Sequence, residues 1–558
     1  MSQRAGQAKH AIKTPPKNTG RPTTGGLDST LAIRLVVAAV IFAVALIVKM
    51  PTFVRIVLLI LSAAAAGYDV FLEAINAVEE GRYFATPLVV VCVGVIGFVI
   101  GYPTESAALI ILYQIGVLVI AYASKQTRAS AISLVSGQEE GIIAKVREII
   151  GASGSGDMQI ESVMRESSGL ILRFAMVFAA VYAIVLPLFS DFPFRVSIHR
   201  ALMIILVCTP TSIVAAMPLV GLVGLCYSAK HGILFNRAAS LEKASNIKVA
   251  VFDKAGVFSE DCPEVLSIQS SILDKDTFMN FAAHAAYYSD QPFAKAISNV
   301  YDQEYKLEVV SDFKELPGYG VELKVGGTPV SLATSEFLLG RGVNVPQDPN
   351  DEGQAYYLVI AGRYIGKILV SANVNAGTNQ LAADMGDAGA TRCILLTEDG
   401  AEESKRIARD LGFSEVKTTT GTPDKLSYIR ELSGAYRDQV MYVYANGIET
   451  HSDAAVDIRV SSKAKYADAI AVPEQVANIP QAVKISKRTR EVAKENAVFA
   501  FVIKAILIFL SVIGYCTLWF AIFIDTAAAL ATILNAIRVT KESKFFRKDD
   551  DAEEDEEE

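Results

Sequence analysis

Residues 251–261 read VFDKAGVFSED and follow directly on two further apolar residues. The run VAVF ends at Asp253, a pattern typical of a buried β-strand that carries a carboxylate at its carboxyl end. From residue 227 to residue 493, short β-rich runs alternate with helical segments, and this alternation predicts a parallel α/β sheet. In such a sheet the chemistry is expected beyond the carboxyl ends of the strands, which is where Asp253 is placed.

Other polar residues in the same region follow predicted strands or begin predicted helices. Thr397 and Asp399 follow CILL, Lys425 begins a helical segment and Asn446 follows VMYVYA. With Asp253 they form a set suited to phosphoryl transfer: the carboxylate attacks phosphorus, the hydroxyl and the ammonium hold phosphate oxygens, and the last group helps to bind Mg²⁺. Each residue alone could equally be a strand-end cap or a turn residue. Their order favours the site.

The composition indicates a membrane protein. Hydrophobic residues make up 52% of the 558 residues, charged residues only 20%, and the mean hydropathy is +0.35. A helix needs roughly 20 apolar residues to cross a bilayer. Eight stretches meet or approach that requirement and are predicted to span the membrane: 31–49, 52–72, 84–101, 104–123, 169–190, 198–226, 494–514 and 516–537. The lipid bilayer is the predicted partner, and nothing in the sequence indicates a nucleic-acid ligand.

The ends of the chain and the loops set the predicted orientation. The net charge of −8 comes from an acidic stretch at 549–558, read as a solvated tail, while residues 1–28 form a basic arm without a signal-peptide pattern. Lysines and arginines near the span ends predict a cell-membrane protein with both termini in the cytoplasm. The predicted units are the arm 1–28, helices 29–124, a connector 125–168, helices 169–229, the α/β domain 230–262 and 366–490, an insert 263–365, helices 491–540 and the tail 541–558.

The six cysteines contain no C-x-x-C pair and the five histidines do not cluster. The sequence therefore shows neither a disulfide framework nor a cysteine-based metal module.

Six short motifs occur in a fixed order along the α/β region. They are DKAGVFS at 253–259, SDQPFAKAI at 289–297, the pair Gly318 and Gly320, TED at 397–399, TPDK at 422–425 and ANGIET at 445–450. In the same order they resemble the motifs D-K-T-G-T-L-T, S-E-H-P-L-A-K-A-I, G-x-G, T-G-D, P-x-D-K and G-D-G-I-N-D of the P-type ATPases, specifically the zinc, cadmium and lead branch of the heavy-metal class. A lone G-x-G is weak evidence, whereas six ordered matches are strong.

The resemblance implies a fold, cofactors and site residues. The fold would be an α-helical membrane protein of eight transmembrane helices with a cytoplasmic α/β domain of the haloacid-dehalogenase type and a small α+β nucleotide-binding-like insert. ATP and Mg²⁺ would be the cofactors, with Mg²⁺ at Asp253 and Asn446. The catalytic residues would be Asp253, Lys254, Thr397, Asp399 and Lys425, and the nucleotide-binding residues Asp290, Gln291, Gly318 and Gly320.

The membrane segments carry the same resemblance. The ion-site motif C-P-C of the family corresponds to Thr209, Pro210 and Thr211, and the last two spans carry Lys504 and Asp525. Charges are costly in lipid, so this lysine and aspartate are predicted to pair inside the protein and to mark the path of a transported divalent transition-metal ion.

Several departures from the family fall on its chemistry. Asn446 replaces a charged Mg²⁺ ligand, Gln291 replaces a histidine that contacts adenine, and Glu398 puts a negative charge where a glycine lets phosphate approach. Threonine oxygens at 209 and 211 are hard ligands in place of two thiolates. The family's actuator domain has no counterpart, because about 45 residues join the fourth and fifth spans and no T-G-E occurs.

Three functions stay open at this point. One is a pseudo-ATPase that binds nucleotide or ion, or acts as a regulatory subunit, with little turnover; the departures favour it. Another is an active cation pump with an aspartyl phosphate at Asp253, to which a protein partner would supply the actuator in trans. The third is a membrane-embedded phosphatase, which is disfavoured because Ala255 stands where such hydrolases carry a second acid.

Overall fold

The structure is a computed structural model, and it describes residues 29–136, 158–189, 193–209, 211–258, 265–289, 291–303, 305, 310–316, 318–346, 354–370, 380–398, 408–409, 411–445, 452–461 and 467–541. The predicted site residues Pro210, Asp290, Asp399 and Asn446, and the side chain of Thr211, lie outside these residues, as do the predicted terminal arm and all of the tail except residue 541.

Long apolar helices form the membrane part. Their bounds are α1 Ser29–Ile47, α2 Thr52–Glu79, α3 Thr86–Val99, α4 Pro103–Ser133, α5 Gln159–Phe189, α6 Phe194–Val207, α7 Thr211–Lys230, α14 Ile479–Ile513 and α15 Leu518–Ala536. Within the described residues, six helices are long and apolar enough to cross a membrane: α1, α2, α4, α5, α14 and α15.

The predicted third and sixth spans differ from the expectation. The third is a helix of 14 residues, which at 1.5 Å per residue reaches about 21 Å, less than the hydrocarbon thickness of about 30 Å. The sixth is divided: α6 ends at Val207 and α7 begins at Thr211. The position between them includes Pro210, and a proline has no N–H to continue a helical hydrogen-bond pattern.

A seven-stranded sheet forms the centre of the α/β domain. Its strands are β1 Ile233–Phe235, β2 Val249–Asp253, β9 Arg392–Thr397, β10 Glu415–Thr418, β11 Val440–Tyr444, β12 Val456–Val460 and β13 Ala469–Ala471, and the helices of this domain are α8 Ala238–Ala244, α12 Leu381–Asp387 and α13 Thr422–Tyr436. The strand order is β1-β13-β12-β11-β2-β9-β10. Only the edge pair of β1 with β13 is antiparallel among these strands. Strand β2, which ends at Asp253, therefore lies in the middle of the sheet, between β11 and β9.

The insert is a six-stranded antiparallel sheet of order β3-β8-β7-β6-β5-β4. Its elements are β3 Val265–Ser270, α9 Lys275–Ala286, α10 Pro292–Val300, β4 Val310–Leu316, β5 Gly320–Val325, β6 Thr328–Ala333, α11 Ser335–Gly340, β7 Gln354–Ile360 and β8 Arg363–Val370. The expected boundary at residue 365 falls inside β8. Because β8 pairs with β7 from Arg363 to Val370 and with β3 from Gly366 to Val370, the sheet of the insert includes Val370.

One hydrophobic core connects the membrane helices to the α/β domain. It contains Cys226 of α7, Phe235 of β1, Phe252 of β2, Val492 of α14 and Ala536 of α15, all buried. Helix α14 runs without interruption through the expected boundary at residue 490, from the domain into the membrane part. The sheet that carries Asp253 thus shares a hydrophobic core with α7 and α14.

Candidate functional site

Asp253 is the last residue of β2 and lies on the central strand of the sheet. It is opposite Leu396 of β9, and the N–H of Lys254 donates to the Leu396 carbonyl at 2.8 Å. The chain then turns at Gly256, whose φ of +73° suits glycine, and the N–H of Ala255 donates to Asp253 Oδ1 at 3.3 Å. These contacts hold the buried carboxylate at the carboxyl end of the sheet.

Lys425 reaches this carboxylate from α13. The helix starts after Gly421, whose φ of +147° is accessible mainly to glycine, and Pro423 lies in its first turn. Lys425 Nζ donates to Asp253 Oδ2 at 2.8 Å and to Asp253 Oδ1 at 3.1 Å. The side chains of Lys425 and Asp253 are 7% and 4% exposed, so the pair is shielded from water.

A second carboxylate contacts the same ammonium. Glu398, directly after β9, places Oε1 at 3.0 Å from Lys425 Nζ, and its own side chain is 44% exposed. Burial opposes the charge of Lys425, but the two carboxylates outweigh burial and raise the pKa of the lysine. Lys425 is therefore a charged group held between Asp253 and Glu398.

Tyr442 is a site residue that the sequence reasoning missed. It is fully buried in β11, opposite Val251 and hence on the face of the sheet shared with Asp253, and its Oη donates to Asp253 Oδ2 at 3.4 Å. Burial is the main cause of its raised pKa, with the neighbouring Asp253 adding to it. The signal that could have found Tyr442 is its place in the strand VMYVY, two residues before the strand end.

Thr397 ends β9 beside Asp253 and is buried. Its carbonyl accepts from the N–H of Thr419 at 2.9 Å, which ties β9 to the segment leading into α13. The structure thus brings Asp253, Thr397 and Lys425 to one edge of the sheet. Ala445, the last residue described before Asn446, lies just beyond the end of the neighbouring strand β11.

Three of the predicted nucleotide-binding residues, Gln291, Gly318 and Gly320, lie around one hairpin. Gln291 Nε2 donates to Glu315 Oε1 and to the Leu316 carbonyl, each at 3.3 Å, and to the Gly320 carbonyl at 3.4 Å. Gly320 has φ +130°, and a Cβ there would lie 2.1 Å from the Leu332 carbonyl oxygen. Only glycine fits this position. The side-chain amide of Gln291 therefore donates its hydrogen bonds to the protein's own hairpin.

This hairpin also meets the α/β domain. A Cβ built on Gly318, φ +79°, would lie 3.3 Å from the backbone oxygen of Glu398. Gly318 therefore permits a close approach between the insert and the segment that holds the second carboxylate on Lys425.

The membrane pair lies at the break between α6 and α7. Lys504 Nζ donates to Asp525 Oδ1 at 2.8 Å, to the Thr209 carbonyl at 2.6 Å and to the Val207 carbonyl at 3.0 Å. An ammonium has three N–H donors, and these three acceptors account for them. The hydroxyl of Thr209 donates to the Leu206 carbonyl at 2.9 Å. A lysine ammonium thus occupies the space bounded by the carboxylate and the carbonyls at the helix break.

Comparisons with known proteins agree in sequence and fold, although no family model matches the chain. The chain is 25% identical over 421 residues to the cadmium, zinc and cobalt-transporting ATPase of Bacillus subtilis, covering 74% of this chain and 60% of that protein. It is 26% identical over 413 residues to the zinc-transporting ATPase of Synechocystis, covering 72% and 57%. A zinc-transporting PIB-type ATPase in its E2·Pi state superposes with a TM-score of 0.58 at 17% identity, over 92% of this chain and all of that one.

The chain is a relative of the heavy-metal P-type ATPases. The resemblance predicted from the six motifs is confirmed, because the sequence relatives are cadmium- and zinc-transporting ATPases and the similar solved structures are zinc-transporting PIB-type ATPases. The chain spans about three fifths of the length of the two curated relatives it is compared with here.

In the arrangement described, the protein itself engages the Asp253 carboxylate of this P-type ATPase relative. Both oxygens of Asp253 accept hydrogen bonds from Lys425, so a hard cation would compete with the ammonium for them. Within the described part of the chain, no group of three or more His, Cys, Asp or Glu side chains could hold a metal ion. When bound, Mg²⁺ would neutralise phosphate charge next to Asp253; Lys425 and Glu398 would first have to separate.

Proposed function

We propose that this chain is a membrane-embedded pseudo-ATPase of the heavy-metal P-type class, with little or no ATP turnover, that acts by binding ligand or as a regulatory subunit. The observation that carries the proposal is the position of Lys425 Nζ, 2.8 Å from Asp253 and 3.0 Å from Glu398. An internal carboxylate takes a place beside the lysine that a phosphate oxygen would need.

Phosphorylation of Asp253 needs an oxygen of this carboxylate free to attack phosphorus and a metal ion to neutralise the phosphate charge. Here Lys425 binds both oxygens, and Tyr442 donates to one of them. Glu398 adds negative charge near the incoming phosphate, which opposes its approach. Asn446 offers a neutral amide in place of a charged ligand, so we expect weak Mg²⁺ affinity.

Hydrolysis of an aspartyl phosphate needs a positioned water. Helix α4 ends at Ser133 and α5 begins at Gln159, and the chain between them is too short to form a domain of ordinary size, which has at least about 50 residues. We infer that no actuator domain stands between these helices and that a phosphoenzyme, once formed, would persist.

Transport would also be impaired at the membrane site. Threonine oxygens bind soft Zn²⁺ or Cd²⁺ far more weakly than thiolates do, and Lys504 places a positive charge among the carbonyls of the helix break. The proposed topology has eight membrane crossings, with α3 as a short third crossing and α6 and α7 together as the sixth. Both termini and the α/β domain would be cytoplasmic.

The second candidate is an active divalent-cation pump. It is favoured by the similarity to cadmium- and zinc-transporting ATPases and by the position of Asp253 at the centre of the sheet. In this case a separate chain would supply the missing hydrolysis step.

The test uses the purified full-length protein with labelled ATP, Mg²⁺ and a panel of divalent metals, and follows both acid-stable label and released phosphate. We expect neither signal above that of Asp253→Asn. Asn446→Asp combined with Glu398→Gly is expected to give label on Asp253 that accumulates without phosphate release. Sustained, metal-stimulated phosphate release by the wild type that vanishes in Asp253→Asn would establish the active pump instead.

A further inference from the structure

A groove runs between α14 and α15 at the end of these helices nearest the α/β domain. A cavity of about 320 Å³ lies between the two helices, and a larger one of about 850 Å³ adjoins it along α14. Both share Glu495 and Phe499 in their walls. Neither belongs to the Asp253 site or to the Lys504 site.

The position of the groove along α15 places it at the edge of the membrane. Trp519 is half-exposed near the start of α15, as expected of an aromatic residue at a membrane surface. From Trp519 to Arg538 the chain advances 19 residues, or about 28 Å at helical rise, close to the hydrocarbon thickness. Arg538 therefore lies at the opposite surface, where the headgroups of the leaflet next to the α/β domain would be.

The wall of the groove nearest the α/β domain is charged, and its net charge is positive. It carries Arg488, Lys494 and Arg538 against Glu491 and Glu495. Each of the two carboxylates already forms an ion pair: Arg488 Nη1 is 3.4 Å from Glu491, and Arg538 Nη1 is 2.9 Å from Glu495. Among the residues that line the groove, three cations against two carboxylates leave one cation in excess, and Lys494 also interacts with the Glu242 carboxylate at longer range.

One donor in this wall is open to an anion, and a second is a buried N–H without a hydrogen-bond partner. Lys494 is exposed and forms no ion pair within 4 Å among the described residues. The Arg488 side chain is only 15% exposed. Its Nε is buried and has no hydrogen-bond partner in the part of the chain that the structure describes. A buried guanidinium N–H without an acceptor is unfavourable, so an acceptor that reached this atom would be bound favourably.

The wall nearer the membrane interior is formed by exposed apolar side chains. Val498, Phe499 and Val502 are 62%, 42% and 50% exposed and continue the same face of α14 towards the membrane interior. A rigid polar floor supports this wall: Asn535 Nδ2 donates to Asn496 Oδ1 at 2.8 Å, and Arg538 Nη1 donates to Asn535 Oδ1 at 3.0 Å.

We propose that this groove binds an anionic glycerophospholipid from the leaflet next to the α/β domain. Its phosphate would pair with the exposed Lys494, and the Arg488 side chain would have to turn for its buried Nε to donate to the same phosphate. Its acyl chains would lie along Val498, Phe499 and Val502. A cationic rim directly above an apolar face matches the order of headgroup and acyl chain in a lipid, and it matches no small soluble anion. The proposal is independent of whether Asp253 can be phosphorylated.

The experiment is a titration of the purified full-length protein in mild detergent with dioleoyl phosphatidylglycerol, read as bound lipid by native mass spectrometry. Dioleoyl phosphatidylcholine, which has the same chains and no net charge, is the matched lipid. The variants are Lys494→Gln and Arg488→Gln, and the matched control is Arg165→Gln, an exposed arginine of α5 that is 3.8 Å from Glu161. Inorganic phosphate alone, read by thermal unfolding, tests for a simple anion site.

We expect phosphatidylglycerol to bind the wild type more tightly than phosphatidylcholine, and Lys494→Gln to weaken it about fivefold, the effect of about one interfacial cation. Arg165→Gln should leave both lipids unchanged, and inorganic phosphate should not stabilise the protein. Equal binding of the two lipids, or equal losses in Lys494→Gln and Arg165→Gln, would overturn the proposal, and so would stabilisation by phosphate alone. Lys494 is exposed, so its variant tests the site even where Arg488→Gln fails to fold.

Discussion

Lys504 of α14 and Asp525 of α15 form an ion pair with Nζ 2.8 Å from Oδ1, and their side chains are only 9% and 6% exposed. Lys504 also donates to two carbonyls at the break between α6 and α7. The pair therefore joins three elements of the membrane part through one ammonium. Arg34 and Asp69 form a pair of the same length between α1 and α2, but their side chains are 33% and 38% exposed.

Asp525→Asn should destabilise the protein much more than Asp69→Asn. Removing the charge of Asp525 leaves a buried ammonium without its counter-charge, which costs about 3 kcal/mol, whereas an exposed pair contributes about 0 to 1 kcal/mol. Thermal unfolding in detergent, followed by the loss of helical signal, measures the difference. The double variant Lys504→Met with Asp525→Leu should recover much of the loss; equal destabilisation by the two single Asp→Asn changes would contradict the role given to the pair.

The edge of the sheet that carries the site could be predicted from sequence because parallel strands end on the same side. Asp253 and Thr397 both follow strongly apolar β-rich runs, so their proximity follows from strand pattern alone. Lys425 could be added because Gly421 and Pro423 mark a helix start. These are local signals, and each of them depends only on neighbouring residues.

Contacts between distant segments could not be predicted in this way. The sequence predicts that the charge of Glu398 opposes the approach of phosphate. Its contact with Lys425 could not be predicted, because it depends on the path of the chain between β9 and α13. Tyr442 was missed because nothing local distinguishes a buried strand tyrosine from a core residue. The carbonyls that bind Lys504 come from a helix break almost 300 residues earlier, and the shortness of α3 depends on turns at both of its ends.

Glu398→Gly should increase the affinity of the Asp253 pocket for inorganic phosphate in the presence of Mg²⁺. The change removes the carboxylate that lies 3.0 Å from Lys425 Nζ and so frees one donor of the ammonium for an anion. We expect about a tenfold gain, equivalent to about 1.4 kcal/mol. Equilibrium dialysis with labelled phosphate measures it, with Glu431→Gly, an exposed change on α13, as the control. No gain over the control would show that Glu398 does not exclude the anion.

The ion pair of Arg392 and Glu415 should give a small acid-dependent contribution to stability. Arg392 contacts both Glu415 oxygens, at 2.8 Å and 2.5 Å, and this pairing lowers the pKa of Glu415 below its ordinary value of 4.5. A lowered pKa means that the stabilisation is present at neutral pH and is lost as the pH falls below 4.5 through the folded-state pKa. Because both side chains are about a third exposed, the loss should stay below about 1 kcal/mol.

Glu415→Gln should therefore be less stable than the wild type at pH 7 and closer to it at pH 3. Thermal unfolding across this range measures the convergence. Glu431→Gln, which changes an exposed carboxylate of α13, is the control for the loss of one carboxylate. A Glu415→Gln difference that stays constant with pH would contradict the assignment.

Glu242 should control the first turn of α5. This buried carboxylate of α8 accepts hydrogen bonds from the backbone N–H groups of Gln159 and, at 3.2 Å, Ile160, so a residue of the α/β domain caps a membrane helix 83 positions earlier in the chain. Glu242→Ala would leave both N–H groups unpaired at a cost of about 1 to 2 kcal/mol. Hydrogen exchange at Gln159 and Ile160 should speed up about tenfold, as expected for a local loss of this size. Glu161→Gln, which changes an acid in the same turn that lies 3.8 Å from Arg165, should leave exchange close to that of the wild type. If the two variants exchange alike, the cap does not hold α5 to the α/β domain.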